Sequence, residues 1–209
     1  EELSILGDIQ DSKIDNLIKN NLGNQKLDLI IGGPPCQAYS VAGRIRDKDG
    51  MKNDYRNFLF ESYLRIVKKF QPSIFLIENV PGILTAAPEG THIKDRIAND
   101  IKKIGYICSD SFDACLFDLS KFGIPQKRKR VFILGVNKKI KNYSKLLSEF
   151  YQELLNIPQV SLTVKEAIGD LPKLYPLKKN QLTPKQSHSS SKFKDHTPRF
   201  HNGRDIKIF

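Results

Sequence analysis

The chain has 209 residues, 39% of them hydrophobic, which is enough for one sizeable core and an appendage. No run approaches the roughly 20 apolar residues of a membrane helix, and the first residues do not resemble a signal peptide, so we expect a cytoplasmic protein without a membrane partner. Lysine and arginine outnumber aspartate and glutamate by 34 to 23, giving a formal charge of +11, and residues 119–148 hold nine basic residues and no acidic one. This excess favours a polyanionic partner, although a solvated basic face explains the charge alone equally well.

The cysteines and histidines do not have the spacing of a metal site. Cys36, Cys108 and Cys115 include no Cys-x-x-Cys pair, and the four histidines match neither a zinc finger nor an HExxH pattern. An odd, sparse cysteine count also argues against a secreted disulfide scaffold. We therefore expect no metal site.

The first half of the chain alternates short β-rich runs with helical patterns, which predicts an α/β fold with a parallel sheet. The predicted strands cover residues 3–6, 27–31 and 74–77. Apolar residues at helical spacing predict three helices, which are marked by Ile14 to Leu22, Phe60 to Val67 and Ile93 to Ile104.

Capping and helix-breaking residues set the expected ends of these helices. Asp11 or Ser12 is the expected cap of the first helix, and Thr91 that of the third. The expected stops, in chain order, are Gly23, Gln71-Pro72 and Gly105.

The second half of the chain changes in character after residue 136. Two further strands are predicted at residues 106–112 and 131–136, separated at 116–130 by a loop rich in Gly, Pro and basic residues. A helix follows at 143–155, and residues 181–194 have the composition of a linker. We therefore predict a catalytic α/β domain at 1–140, followed at 141–209 by a connecting helix and the beginning of a second region.

Cys36 is the most informative residue of the chain, because it stands on a rigid platform. It follows the predicted buried strand at 27–31 within the segment Gly-Gly-Pro-Pro-Cys-Gln-Ala-Tyr-Ser, residues 32–40. The glycines allow a tight turn and the prolines fix φ, so the thiol is presented on a backbone with little freedom. A cysteine that only fills a core would not need this platform.

Other polar residues follow the predicted strands at the same edge of the sheet. Asp8 follows the first strand, Cys36 the second and Glu78 the third, and ligands of open α/β sheets bind at the carboxyl ends of the strands. Taken singly, Asp8 could cap a helix and Glu78 could be an ordinary charge at a strand end. Together they suggest a thiolate nucleophile with a carboxylate that handles protons, while Arg128 and Arg130 meet a phosphate or a carbonyl oxygen. A generic basic turn is the simpler interpretation of those arginines.

Four segments, taken in order, closely resemble motifs of the DNA cytosine-5 methyltransferase family, bacterial type. They are Asp8-Ile9, Gly33-Pro34-Pro35-Cys36-Gln37, Phe75-Leu76-Ile77-Glu78-Asn79-Val80 and Gln126-x-Arg128-x-Arg130. Each segment alone is a weak signal, but their order and spacing are specific, and the resemblance covers roughly residues 4–136. It implies a Rossmann-like, S-adenosylmethionine-dependent methyltransferase sheet with helices on both faces, whose N-terminal part is missing, and the start of a smaller recognition region.

The resemblance also implies roles for individual residues. Cys36 is expected to add to C6 of a cytosine in double-stranded DNA, and Glu78 to hydrogen-bond or protonate N3 of the base. Arg130, with Arg128, would hold the base or the adjacent backbone, and Asn79 would fix the loop. C5 then takes the methyl group of S-adenosylmethionine, whose expected contacts are Asp8, Ile9 and Pro35.

The target base lies inside a stacked duplex, so the resemblance implies that it is flipped out. Residues 41–54 are the expected closing loop. The expected DNA contacts are Gln37, Ser40, Arg44, Arg56 and Gln126, and Arg199, His201 and Arg204 are further candidates.

Two features of the family pattern are not found in this chain. These are the Gly-rich cofactor loop and the later motif that completes the cofactor pocket, so we expect an internal fragment that is weakly active or inactive alone. Family members of this kind often accompany a restriction endonuclease, which implies a functional rather than a physical partner, and we expect a monomer.

Two other functions remain as alternatives. A zinc-dependent nucleobase deaminase also uses a Pro-Cys motif on a flipped base, but it needs Pro-Cys-x-x-Cys and His-x-Glu, and neither occurs here. A DNA-binding relative without catalysis would keep the fold as a scaffold, and the presence of both Cys36 and Glu78 argues against it.

Overall fold

The computed structural model describes residues 4–35, 59–87, 91–177, 188–189, 192–193 and 196. By backbone contacts the chain divides into two compact units, Glu1–Val160 and Ser161–Phe209. None of the helices described is long and apolar enough to cross a membrane. The helices are α1 (Lys13–Leu22), α2 (Leu59–Phe70), α3 (Ile93–Lys103), α4 (Tyr143–Asn156) and α5 (Val164–Ile168); the strands are β1 (Leu29–Gly32), β2 (Ile74–Asn79), β3 (Tyr106–Ile107), β4 (Leu116–Asp118) and β5 (Lys129–Asn137).

The five strands form one mixed sheet in the order β1-β2-β5-β3, and β4 also pairs with β5. β1 and β2 are parallel, with Ile31 opposite Leu76. β5 runs antiparallel to β2, β3 and β4. The parallel pairing predicted for the first half of the chain is confirmed for β1 and β2. No direction was predicted for β5, because the apolar pattern of a buried strand is the same in either direction.

The core lies where α2 and α3 pack on the sheet. Phe75 of β2 and Val131 and Ile133 of β5 are fully buried, together with Val67 of α2 and Ile101 of α3. Alternate residues of a strand face the same side, so the buried residues of β2 define the packed face of the sheet. This packing fixes the position of β2 and β5, whose ends carry the polar residues of interest.

The predicted helices α1, α2 and α3 are confirmed, with small changes at their ends. Gly23 (φ +57°), Gln71 (φ +47°) and Gly105 (φ +91°) directly follow the last turns, in left-handed backbone that breaks a helix. Ser12 occupies the N-cap position of α1, but its side chain makes no capping hydrogen bond. Thr91 is not the cap of α3, because His92 occupies that position.

Three strand or loop predictions need correction. Residues 4–6 of the first predicted strand have no regular structure, and Leu6 is fully exposed. The strand predicted at 106–112 ends at Ile107, because the chain then turns into a 3₁₀ helix at Phe112–Cys115 that buries both terminal side chains. The loop predicted at 116–130 contains β4 and a 3₁₀ helix at Leu119–Lys121, and β5 begins before its end.

Tyr151 of α4 fills a gap on the outer edge of β5. β4 pairs with residues 129–131 of β5 and β3 with residues 136–137. Among the described residues, no strand pairs with the stretch between them on that edge. The Tyr151 hydroxyl donates to the Phe132 carbonyl (3.0 Å) and accepts from the Leu134 amide (3.0 Å). It also accepts from the thiol of Cys115 at 3.2 Å. These bonds tie α4 to the sheet, so the first unit extends past residue 140.

The second unit is described only in part. Its helix α5 begins with a capping box, in which the Thr163 hydroxyl accepts from the Glu166 amide and the Glu166 carboxylate accepts from the Thr163 amide. The functional division predicted between residues 1–140 and 141–209 stays a prediction.

Candidate active site

Glu78 lies near the carboxyl end of β2, where it meets two arginines from β5 and the loop before it. The Arg130 Nε donates to Glu78 Oε1 at 2.8 Å, and the Arg128 Nη2 reaches the same oxygen at 3.5 Å. The side chains of Glu78 and Arg128 are 35% and 39% exposed, and that of Arg130 is 19% exposed. The carboxylate is therefore held by charge-assisted hydrogen bonds on one side and remains open to solvent.

The reversed direction of β5 explains how residues about fifty positions apart come together. The start of an antiparallel strand lies beside the end of its neighbour, and Asn79 is in register with Val131. Arg130 therefore lies at the edge where β2 ends, next to Glu78. The predicted placement of the arginines at the same edge as Glu78 is confirmed, but in the structure they bond to Glu78 itself. Glu78 and Asn79 are the last residues of the strand instead of following it.

The turn after β1 lies against the same edge. The Asn79 amide nitrogen donates to the Pro34 carbonyl at 3.2 Å, while its amide oxygen accepts from the Val80 backbone at 2.8 Å. Asn79 is 4% exposed, so it links β2 to this turn from a buried position. A Cβ atom on Gly33 would lie only 3.2 Å from Glu78 Oε2, which places the turn directly beside the carboxylate. The absence of a side chain at Gly33 leaves room for the Glu78 carboxylate.

Asp8 and Ile9 lie in the turn that precedes α1. The Asp8 carboxylate accepts from the Gln10 amide at 2.9 Å through Oδ1, and the Asp8 carbonyl accepts from the Asp11 amide at 3.0 Å. Asp8 is exposed and Ile9 is half-buried. An exposed carboxylate can accept a hydrogen bond from a ligand amine, so Asp8 fits the adenosyl end of the expected cofactor.

Sequence reasoning missed the residue that holds this turn. Arg65 of α2 donates to the Ile9 carbonyl at 2.7 Å and to Asp15 Oδ2 at 2.5 Å. The available signal was Asp15 itself, because it shares the apolar face of α1 with Ile18 and Leu22 at helical spacing. A charge on such a face needs a cationic partner, but the sequence does not indicate which one.

Several predicted site residues lie outside the residues that the structure describes. They include the expected nucleophile, Cys36. The first described segment ends one residue before it, at Pro35, which is exposed. Gln126 is described: it is exposed, and its backbone N–H donates to the Ile124 carbonyl at 2.7 Å. The residues outside are Cys36, Gln37, Ser40, Arg44 and Arg56, the predicted closing loop at 41–54, and Arg199, His201 and Arg204.

Comparison with known proteins settles the family. Residues 3–207 match the family model described as C-5 cytosine-specific DNA methylase. The chain belongs to this family. Its mixed sheet with helices is the Rossmann-like α/β fold expected for a cytosine-specific methylase.

Two curated relatives in this family are Type II methyltransferases. M.Bpa9945I of Bacillus paralicheniformis is 44% identical over 167 residues, which cover 77% of this chain and 36% of the relative. M1.HgaI of Avibacterium volantium is 34% identical over 178 residues, which cover 81% of this chain and 44% of the relative. The chain thus spans less than half the length of these relatives.

A solved structure in the same group supports the fold. A prophage-encoded protein of E. coli, described as a DNA modification methyltransferase, is 29% identical in sequence and superposes with a TM-score of 0.54. The match covers 81% of this chain and 42% of that protein.

Proposed function

We propose that the protein transfers a methyl group from S-adenosylmethionine to C5 of a cytosine in double-stranded DNA. The observation that carries the proposal is the open carboxylate of Glu78, held by Arg130 and flanked by the Gly33–Pro34 turn. Cys36 follows that turn by two residues in the sequence. A thiol and an oriented carboxylate at one strand edge suit covalent activation of an electron-poor base ring.

The residues of the chain divide the work in this proposal. The Cys36 thiolate adds to C6 of the flipped-out cytosine, and Glu78 donates or shares a proton at N3 so that negative charge does not build up on the ring. Arg130 and Arg128 hold Glu78 and contact the base or its backbone. S-adenosylmethionine, when bound by Asp8, Ile9 and Pro35, supplies an electrophilic methyl group. Loss of the C5 proton and of the Cys36 thiolate then restores the base.

DNA contacts complete the proposal. Extrusion of a base costs a few kcal/mol, which contacts with the protein must offset. Gln37, Ser40, Arg44, Arg56 and Gln126 are the proposed contacts. A cognate restriction endonuclease is proposed as a functional partner, in line with the Type II relatives.

Covalent trapping tests the chemistry without knowledge of the target sequence. A duplex library of random sequence, with 5-fluorocytosine in place of cytosine, is incubated with the protein and S-adenosylmethionine. Fluorine at C5 cannot leave as a proton does, so a catalytic thiol stays attached to the base. We expect an adduct that survives a denaturing gel, no adduct with Cys36→Ser, and adduct formation slowed about 100-fold or more with Glu78→Gln.

A matched control separates the carboxylate of the site from carboxylates in general. Glu61 of α2 also pairs with an arginine, Arg96, on the surface. Glu61→Gln should therefore trap at the wild-type rate. Because the curated relatives are longer, the assay is run on the 209-residue chain and on the full-length gene product. DNA binding without an adduct in the full-length product would contradict the proposal and favour the non-catalytic DNA-binding function.

A further inference from the structure

Asp15 of α1 is a buried carboxylate with two cationic partners from α2. Its side chain is 5% exposed, and its Oδ2 accepts from Arg65 Nη1 at 2.5 Å and from Lys69 Nζ at 2.9 Å. Its other oxygen, Oδ1, is buried and has no hydrogen-bond partner in the described part of the chain. One cation is enough to neutralise the charge of Asp15, so the second can also bind another group.

Arg65 uses its remaining amino group outside that ion pair. Its Nη2 donates to the Ile9 carbonyl at 2.7 Å. Lys69 has a single amine, which donates to Asp15 Oδ2 at 2.9 Å. The planar guanidinium can span two acceptors in fixed geometry, which an ammonium group cannot do.

The contact with Ile9 falls in a turn whose other hydrogen bonds, among the residues that the structure describes, are local. Within the turn, Asp8 accepts from the amides of Gln10 and Asp11. Both of these bonds are local, so they shape the turn without fixing it relative to the sheet. Arg65 supplies the bond from α2, and α2 is itself fixed to the sheet through Tyr63, whose hydroxyl lies 3.1 Å from the Ile30 carbonyl and 3.2 Å from that of Leu76.

We propose that Arg65 is a positioning residue for the adenosyl group of the cofactor: anchored on buried Asp15, it holds the Ile9 carbonyl and so fixes the turn that presents Asp8. This inference rests on the proposed function, in which Asp8 and Ile9 bind the cofactor. Arg65 touches neither the cofactor nor the base. Its loss weakens cofactor binding and leaves the chemistry of the base unchanged.

Three variants separate the hold on Ile9 from the charge on Asp15. Arg65→Gln removes both contacts of Arg65. Arg65→Lys keeps a positive charge for Asp15, and hence the fold, but cannot span both acceptors. Lys69→Gln removes a cation from Asp15 and leaves the Ile9 contact in place.

The first measurement is amide hydrogen exchange of Gln10 and Asp11, which needs no cofactor. One hydrogen bond of ordinary strength corresponds to roughly a tenfold change, so we expect exchange about 5- to 10-fold faster in both Arg65 variants and within twofold of wild type in Lys69→Gln. Equal acceleration in Lys69→Gln and Arg65→Gln would overturn the proposal, since the network would then only stabilise Asp15. Unchanged exchange in Arg65→Lys would overturn it as well.

The second measurement is methyl transfer by the full-length gene product. The KM for S-adenosylmethionine should rise about 5- to 10-fold in Arg65→Lys, with kcat within twofold of wild type. A fall in kcat at unchanged KM would refute positioning of the cofactor. If exchange responds as expected but the wild-type protein does not bind S-adenosylmethionine, the hold of Arg65 on the turn stands and the proposed function fails.

Discussion

The hydroxyl of Tyr151 is expected to stabilise the strand that carries Arg130. Tyr151→Phe removes one oxygen atom and leaves the ring in place. The Phe132 carbonyl and the Leu134 amide, each 3.0 Å from that oxygen, then lose their partner in the gap between β4 and β3. A buried backbone group without a partner costs about 1–3 kcal/mol. Because Tyr151 is only half-buried, water replaces part of this loss, and we expect a total of about 2–4 kcal/mol.

Urea unfolding followed by circular dichroism measures this loss, and hydrogen exchange of the Leu134 amide locates it. At about 1.4 kcal/mol per tenfold change, the Leu134 amide should exchange roughly 30-fold faster or more. Tyr143→Phe is the matched control, because Tyr143 begins the same helix and its hydroxyl makes no hydrogen bond within the described residues. A Tyr151→Phe protein within about 0.5 kcal/mol of wild type, with unchanged exchange at Leu134, would refute the reasoning.

Two further predictions concern buried ionisable groups. Burial raises the pKa of Asp15, but its hydrogen bonds to Arg65 and Lys69 and their charges lower it more, so the net pKa lies below the ordinary value of 3.8. The stability from this cluster is therefore complete above that value and is lost as the pH falls through the lower, folded-state pKa. Lys69→Gln should begin acid unfolding at a higher pH than wild type, as followed by circular dichroism, and coincident curves would contradict this. Burial also raises the pKa of two thiols, that of Cys108 to about 11 and that of Cys115 above its ordinary value. Neither thiol should therefore react with Ellman's reagent at pH 8 before urea is added. Rapid labelling of more than one thiol in the native chain would count against it.

Sequence patterns located the helices well because helix formation leaves local signals. The spacing of Tyr63, Leu64 and Val67 predicted α2, and all three side chains are buried. Gly23 and Gly105 ended α1 and α3 as expected, because left-handed backbone favours glycine. The same local signals placed Glu78 at the end of a strand.

Features that depend on distant pairing could not be predicted in this way. The direction of β5 is set by its partners, and an apolar run does not encode it. β4 was missed because Phe117 becomes part of a strand only when it pairs with Arg130, within a segment rich in loop-forming residues. The Arg65 contact with Ile9 joins residues 56 positions apart, so no sequence window contains both.

The buried apolar side chains of β5 fix its antiparallel register, and this register places Arg130 beside Glu78. Arg130 is followed by Val131, which is fully buried, so the two side chains point to opposite faces of the sheet. A deletion of one codon between Arg130 and Ile133 would move the arginine into the place of the valine and put Lys129 in the place of the arginine beside Glu78. The cell would then lose both the fold and the site in a single step, since an arginine in that core position has no partner. Selection on the methylase can therefore act on Val131 and Ile133, which never meet DNA, as strictly as on the arginine itself.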